Sequence, residues 1–373
     1  MRYYIIAGEA SGDLHASNLM RGIRQSDPDA HFRYFGGDLM LEQGGELVKH
    51  YRDMAFMGFL EVLMNLNAIK ANFKLCKVDM LNYQPDVLIL VDYPGFNLRI
   101  AKFAKKAGIK VFYYIAPKVW AWKESRVKIL QKYIDKLFII FPFEIEYFSK
   151  HGINPIYKGN PTPDAIAQKM VDAVSFDDFV NKNNLSQKPI ISLVAGSRKQ
   201  EIKYNLPVML SVIDKFPNYQ FVIAGAPSLT EDVYKPYLED KNVSLVFNQT
   251  YQLLNVSTIA LVTSGTATLE AALLNVPQVV CYKGNFFSMI IAWMVIKVKY
   301  ISLVNLNLKY EAVRELKQYD LTTENLYKEI LKLVPGSKDR QKMINSYNEL
   351  RKLVGEKGAS YRVGEAIVNF IKK

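Results

Sequence analysis

Two carboxylates stand where short apolar runs give way to turns. Asp92 closes the run DVLILVD and is followed by Pro94, Gly95 and Asn97, while Glu9 follows IIAG near the N-terminus. A carboxylate at the carboxyl end of a buried strand can take the proton of a substrate hydroxyl as a general base, or bind sugar hydroxyls. A helix N-cap or turn Asp explains Asp92 equally well, and Asn97 suits loops generally. In IIAGEASGDLHASNLMRGI, Gly8 and Gly12 permit close approach of a ligand. Ser11 is placed to cap the helix that follows, whose N-terminus attracts anions. The spacing is not GxGxxG, and the GK[ST] of a P-loop is missing, so a dinucleotide or Walker-type site is disfavoured.

Three later segments suit sugars and phosphates. YYIAPKVWAWKESRVKIL gathers Trp120 and Trp122 with Lys118, Lys123 and Arg126. Aromatic faces and cations bind sugars, phosphates or bases, although domain-packing tryptophans with snorkelling lysines account for the segment equally well. No RNP, KH or zinc-finger pattern accompanies it, so nucleic acid is not the expected partner. ISLVAGSRKQEI sets Gly196, Ser197 and Arg198 just after an apolar run, where backbone N–H groups and a guanidinium can grip a diphosphate. ALVTSGTATLEAALLNVPQVV opens a helix on Ser264, Gly265 and Thr266, with Glu270 within two turns to take ribose hydroxyls. A packed helix explains the Leu and Ala positions of that segment, but not SGT ahead of a Glu.

His15, His31, His50 and His151 form no HExxH cluster, and no GxSxG elbow occurs, so no metal is expected. Two distant cysteines, Cys76 and Cys281, read as reduced core thiols of a cytosolic protein.

These residues need a scaffold, and the hydropathy pattern supplies one. Runs at Tyr3–Ala7, Asp86–Val91, Lys110–Ile115 and Leu137–Phe141 alternate with helical patterns such as Arg99–Ala107. The style repeats at Ile190–Val194, Gln220–Ala224, Val243–Phe247, Thr258–Val262 and Gln278–Cys281, with a helical pattern over Ile202–Phe216. Continuous apolar strands are covered on both faces, which predicts α/β architecture with parallel sheets. A polar, Asn-rich break at Ser175–Lys188 divides the chain. The expectation is two doubly wound domains, 1–180 and 188–350, facing a ligand cleft, with a C-terminal helix at 351–373. After Lys309 the chain reads as helical and charged throughout.

At 373 residues the chain is long enough for two full cores, and 50% hydrophobic residues exclude disorder. A formal charge of +12 favours anionic partners. The segment MRYYIIAGEASGD has no signal-peptide pattern. The longest apolar run, Phe286–Ile296, is shorter than the ~20 residues a membrane span needs. That run, and Phe59, Leu60, Leu63, Leu66, Ile69 and Phe73 with Lys70 and Lys74, suit either buried core helices or a peripheral membrane face.

Taken in order, GEASGD, DYPGFN, PKVWAW, GNP, GSR, SGTATLEA and YISLVNL resemble the lipid-A-disaccharide synthases from Gly8 to about Leu306. The resemblance implies an inverting GT-B glycosyltransferase with two Rossmann-like domains and a helical C-terminal tail. Its reaction joins a UDP-2,3-diacylglucosamine donor to a 2,3-diacylglucosamine 1-phosphate acceptor, giving a β-1,6-linked disaccharide 1-phosphate and UDP. It implies no metal or organic cofactor, and a cytoplasmic location peripheral on the anionic inner membrane. A homodimer is compatible with it, the tail either crossing back to the first domain or exchanging between subunits.

By the same resemblance Asp92 is the general base and Glu9 lines the acceptor side. Gly196, Ser197 and Arg198 hold the diphosphate, with Ser264, Gly265 and Thr266. Glu270 takes the ribose, and Asn305 lies near the donor. Ser11, Gly12, Asn97, Trp120 and Trp122 complete the expected substrate contacts. Gly95 stands where the family pattern has a second Asp, leaving Asp92 the sole candidate base. Ala195 and Val304 replace prolines, and Asn160 replaces the His of GHP. The rivals are another UDP-sugar enzyme of this architecture, a peptidoglycan-precursor transferase or a UDP-N-acetylglucosamine epimerase, and a non-catalytic binder of anionic membrane or RNA.

Overall fold

The computed structural model describes residues 1–54, 66–120, 124–171, 174–239, 241–284 and 299–372. Trp122, the Phe59–Leu63 stretch and the run Phe286–Ile296 lie outside the described residues. The chain forms two compact units, Met1–Ala165 with Val354–Lys373, and Ile166–Leu353.

The first unit is built on seven parallel strands: β1 (Arg2–Ala7), β2 (His31–Gly36), β3 (Glu46–His50), β4 (Val87–Val91), β5 (Lys110–Tyr114), β6 (Lys136–Ile139) and β7 (Ile156–Tyr157). Their order is β3-β2-β1-β4-β5-β6-β7. Helices α1 (Ala10–Ser26), α2 (Leu66–Tyr83), α3 (Pro94–Lys106) and α4 (Phe143–Lys150) lie among them in sequence. Val87–Val91 is buried at every position, as an apolar strand covered on both faces requires.

The second unit repeats the plan with β8 (Ile190–Val194), α5 (Lys199–Leu210), β9 (Gln220–Gly225), β10 (Val243–Phe247), β11 (Ser257–Thr263), α6 (Thr266–Leu273), β12 (Gln278–Tyr282) and β13 (Glu315–Lys317). Its six parallel strands run β10-β9-β8-β11-β12-β13. In both sheets the order reverses beside the unit's first strand, between β1 and β4 and between β8 and β11. Chains leaving neighbouring strands there diverge to opposite faces, so their turns leave open a crevice at the carboxyl edge.

The contacts place the unit boundary ahead of the polar 175–188 break. Helix Phe176–Lys182 buries Phe179 and Val180 in the core of the second sheet, so the boundary falls at Ala165. The last helix, α7 (Ala359–Lys372), packs on α1 of the first unit. Two glycines allow this close crossing. A Cβ on Gly22 would meet the Ser360 carbonyl oxygen at 2.6 Å, and one on Gly364 would meet the Ile23 nitrogen at 2.6 Å. The stretch after Lys309 is not wholly helical, because Glu315–Lys317 adds β13 beside β12.

Candidate active site

The turn after β4 is tightly constrained. Asp92 and Tyr93 both adopt left-handed backbone, with φ of 45° and 48°. Each such non-glycine residue costs about 1–3 kcal/mol and persists only where its surroundings fix it. Here they do. The Asp92 amide donates to the Tyr114 carbonyl at 3.1 Å. The Asp92 carbonyl accepts from the Tyr113 hydroxyl at 2.5 Å and from Asn97 Nδ2 at 2.7 Å. Asn97 Nδ2 also lies 3.3 Å from the Val91 carbonyl oxygen. Tyr93 donates its hydroxyl to Met54 O at 3.2 Å, and its ring occupies the space a Cβ on Gly8 would need. Pro94 then starts α3, where its missing N–H is harmless.

At Asp92 these locks act through its peptide atoms, and its carboxyl is engaged by the neighbouring Tyr93 amide. Burial pushes that carboxyl above the ordinary carboxylate range, against the pull of the Lys118 cation and the Tyr93 amide. A base of raised proton affinity, still drawn toward ionisation by a nearby cation, suits proton abstraction.

Glu9 sits half-buried at the N-cap of α1, and its charge helps to keep the Tyr93 phenol protonated. Ser11 is exposed inside the first helical turn rather than at its cap, and Gly12 is buried. The second acid of GEASGD, Asp13, is structural. Asp13 accepts from the amides of Gly37, Leu39 and Met40 at 2.8, 3.1 and 3.2 Å. Asn97 is fully buried and acts by shaping the Asp92 turn. Trp120 donates its indole N–H to Glu144 at 3.0 Å, packing edge-on against Phe143. In the GNP turn, Asn160 is buried and binds the Ile140 carbonyl at 2.9 Å.

In the second unit, Gly196 has φ of 117° and turns the chain out of β8. The amides of Ser197 and Arg198, aimed as an anion site requires, are met by Glu201 Oε2 at 2.8 and 3.3 Å. The Arg198 guanidinium is 63% exposed and 3.9 Å from the same carboxylate. After β11, Gly265 is the N-cap of α6 with open space above it, and Thr266 is exposed. Ser264 donates its hydroxyl to Ile301 O at 2.8 Å. Glu270 accepts from the Tyr251 hydroxyl at 3.1 Å, and burial raises its pKa against that bond.

Asn305 does not offer its amide to a ligand. Its Nδ2 binds Val313 O and Glu315 Oε1 at 2.8 and 2.9 Å, while its Oδ1 takes the Ala312 and Val313 amides. Sequence reasoning passed over Glu144, Glu201 and Glu315, whose roles depend on amides brought to them by folding. Among the described residues no group of three His, Cys, Asp or Glu could hold a metal.

Two all-parallel sheets of Rossmann strand order, each with its polar turns at the point of reversal, define the GT-B class. Solved structures agree on the fold. The UDP-GlcNAc 2-epimerase of Neisseria meningitidis bound to UDP-GlcNAc superposes with a TM-score of 0.71 at 14% identity, covering 99% of this chain and 100% of its own. That of Methanocaldococcus jannaschii, in complex with UDP-GlcNAc and UDP, gives 0.68 at 15% identity, covering 100% and 99%.

Within that class, the lipid-A-disaccharide synthetase family model matches residues 3–367, and the chain belongs to that family. It is 33% identical to the lipid-A-disaccharide synthase of Trichlorobacter lovleyi over 378 residues, covering 100% of this chain and 98% of the relative. Identity to the Coxiella burnetii (strain CbuG_Q212) synthase is 33% over 372 residues, with 98% of each covered. The chain is a glycosyltransferase of lipid A disaccharide synthesis.

Proposed function

We propose that this enzyme transfers 2,3-diacylglucosamine from UDP to the 6-hydroxyl of 2,3-diacylglucosamine 1-phosphate, with Asp92 as general base. Asp92 takes the hydroxyl proton while the oxygen attacks the anomeric carbon from the face opposite UDP. One C–O bond forms as the bond to the diphosphate breaks, and the configuration inverts. The observation that carries this reading is a half-buried carboxyl of raised proton affinity in a locked left-handed turn at the end of β4. Glu9 lines the acceptor side of the same edge.

Charge grows on the diphosphate as UDP departs. Arg198 and the amides of the Gly196–Arg198 and Ser264–Thr266 turns offset it. Glu270 receives the ribose hydroxyls, exchanging its bond from Tyr251. The +12 formal charge and the acylated substrates support peripheral contact with the anionic, cytoplasmic face of the inner membrane. Among the described residues, no helix is long and apolar enough to cross a membrane.

The test is UDP release by purified protein given both acylated substrates. Turnover that requires 2,3-diacylglucosamine 1-phosphate is the expected result. Conversion of UDP-N-acetylglucosamine without an acceptor would favour an epimerase instead. Salt-sensitive membrane or RNA binding with no UDP release would overturn the reading altogether.

A further inference from the structure

Glu144 is a buried acid that the reaction above does not use. Only 1% of it is exposed, in the first turn of α4. One carboxyl oxygen, Oε1, accepts the Trp120 indole N–H at 3.0 Å. The other, Oε2, accepts the amides of Ile140 and Phe141 at 3.2 and 3.0 Å, in the turn between β6 and α4. Both ends of the carboxyl are therefore engaged, joining two segments that leave neighbouring strands.

One of those segments begins beside the proposed base. Asp92 donates its amide to Tyr114, the last residue of β5, and Ile115 follows with φ of 63°. The chain then runs through Pro117 and exposed Lys118 to Val119, whose amide returns to the Pro117 carbonyl at 2.6 Å. Trp120 comes next, held by Glu144. The Tyr147 hydroxyl of α4 adds a bond to the Val119 carbonyl at 3.4 Å. Pro117–Trp120 is thus fixed at one end by the sheet and at the other by α4. The Lys118 cation between these ends influences both Asp92 and Glu144.

We infer that Glu144 is a positioning residue for the acceptor: its carboxyl clamps Trp120 to the β6–α4 turn and so fixes the Pro117–Trp120 segment beside Asp92. The inference rests on the reading of Asp92 and the first unit as the acceptor side. A core acid serving stability alone would affect both substrates alike. A clamp on this segment affects the acceptor selectively.

Glu144→Gln keeps the shape but has one acceptor oxygen, so either the indole or the two amides meet an NH2 donor. Misplacement of a substrate-positioning segment by about 1 Å can cost on the order of 100-fold in rate. The expected result is an acceptor KM raised ~10-fold, with the donor KM within about twofold of wild type. Glu144→Asp keeps the charge on a shorter arm and is expected to fall between the two. It carries the test if Glu144→Gln does not fold.

Unchanged acceptor KM in a folded variant overturns the inference. So does a lowered melting temperature with both KM values unmoved, which is the mark of a purely structural acid. Asp92→Asn, run in parallel, separates the two levels of the argument. Full turnover in Asp92→Asn would remove the base assignment, and this inference with it. Loss there, with a normal acceptor KM in both Glu144 variants, would remove this inference alone.

Discussion

At the end of β4, the hydrogen bonds that hold the turn run through the peptide atoms of Asp92, and its carboxyl is met by one backbone amide, that of Tyr93. At the ends of β8 and β11 the groups assigned to the donor are already engaged within the protein. Glu201 takes the Ser197 and Arg198 amides, the Ile301 carbonyl takes the Ser264 hydroxyl, and Tyr251 holds Glu270. The first unit stores its readiness as backbone strain. The second holds the groups proposed to bind phosphate in internal bonds that a ligand must exchange. Changes at the first turn should therefore act on kcat with the donor KM unmoved, and changes at the second on kcat/KM for the donor.

Asp92→Asn should show the largest effect, lowering kcat ~100-fold or more with both KM values within a few-fold. A large rise in donor KM instead would break the contrast. Arg198→Ala should cost ~10–100-fold in kcat/KM for the donor, because the guanidinium offsets charge that grows on the leaving diphosphate. Glu201→Gln should act in the opposite sense. It replaces the anion on the two amides with a weaker, neutral acceptor and should lower the donor KM a few-fold, at the cost of about 1 kcal/mol of stability from the weakened start of α5. Steady-state titration of each substrate and urea unfolding of each variant check all three.

Two predictions concern stability. Asn305→Ala leaves the part-buried Ala312 amide and the buried Val313 amide without their acceptor and removes one donor from Glu315 Oε1, which keeps the Ile301 and Ser302 amides, and should cost about 2–4 kcal/mol in a urea titration. Burial pushes the Glu144 carboxyl up to about 7, opposed by the Trp120 indole, the Phe141 and Ile140 amides and the Lys118 cation. Because the folded state holds this proton more tightly than the unfolded chain, the contribution is fully present below about pH 4.5. It is lost as pH rises through about 7. Urea midpoints measured across that window should slope downward in wild type and be flatter in Glu144→Gln.

The contrast between the turns also explains how far the sequence could be read. The buried central strands were legible because a parallel strand covered on both faces must be apolar throughout, as in VLILV. HFRYFG and ELVKH, which form β2 and β3, carry charged or histidine residues and sit toward a sheet edge, so their pattern is weak. The three residues of β13 are too few to show a period.

Among the proposed site residues, Asp92, Arg198 and the Ser264–Thr266 turn stand out in the sequence because their residue types follow apolar runs directly. Asn305 looked the same in the sequence whether it faced a ligand or its own loop, and folding assigned it to the loop. Glu144 and Glu201 read as ordinary helical acids. What distinguishes them is the set of amides and the indole that the fold brings within reach.

The most direct test of the central claim is acceptor-dependent transfer by Asp92→Gly, with and without added formate. Glycine is at ease at φ of 45°, so this change removes the carboxyl without straining the turn. The account predicts a folded protein that has lost ~100-fold or more of its turnover and regains part of it as formate supplies the missing base. Wild-type turnover in Asp92→Gly without formate would contradict the assignment of Asp92 as the base.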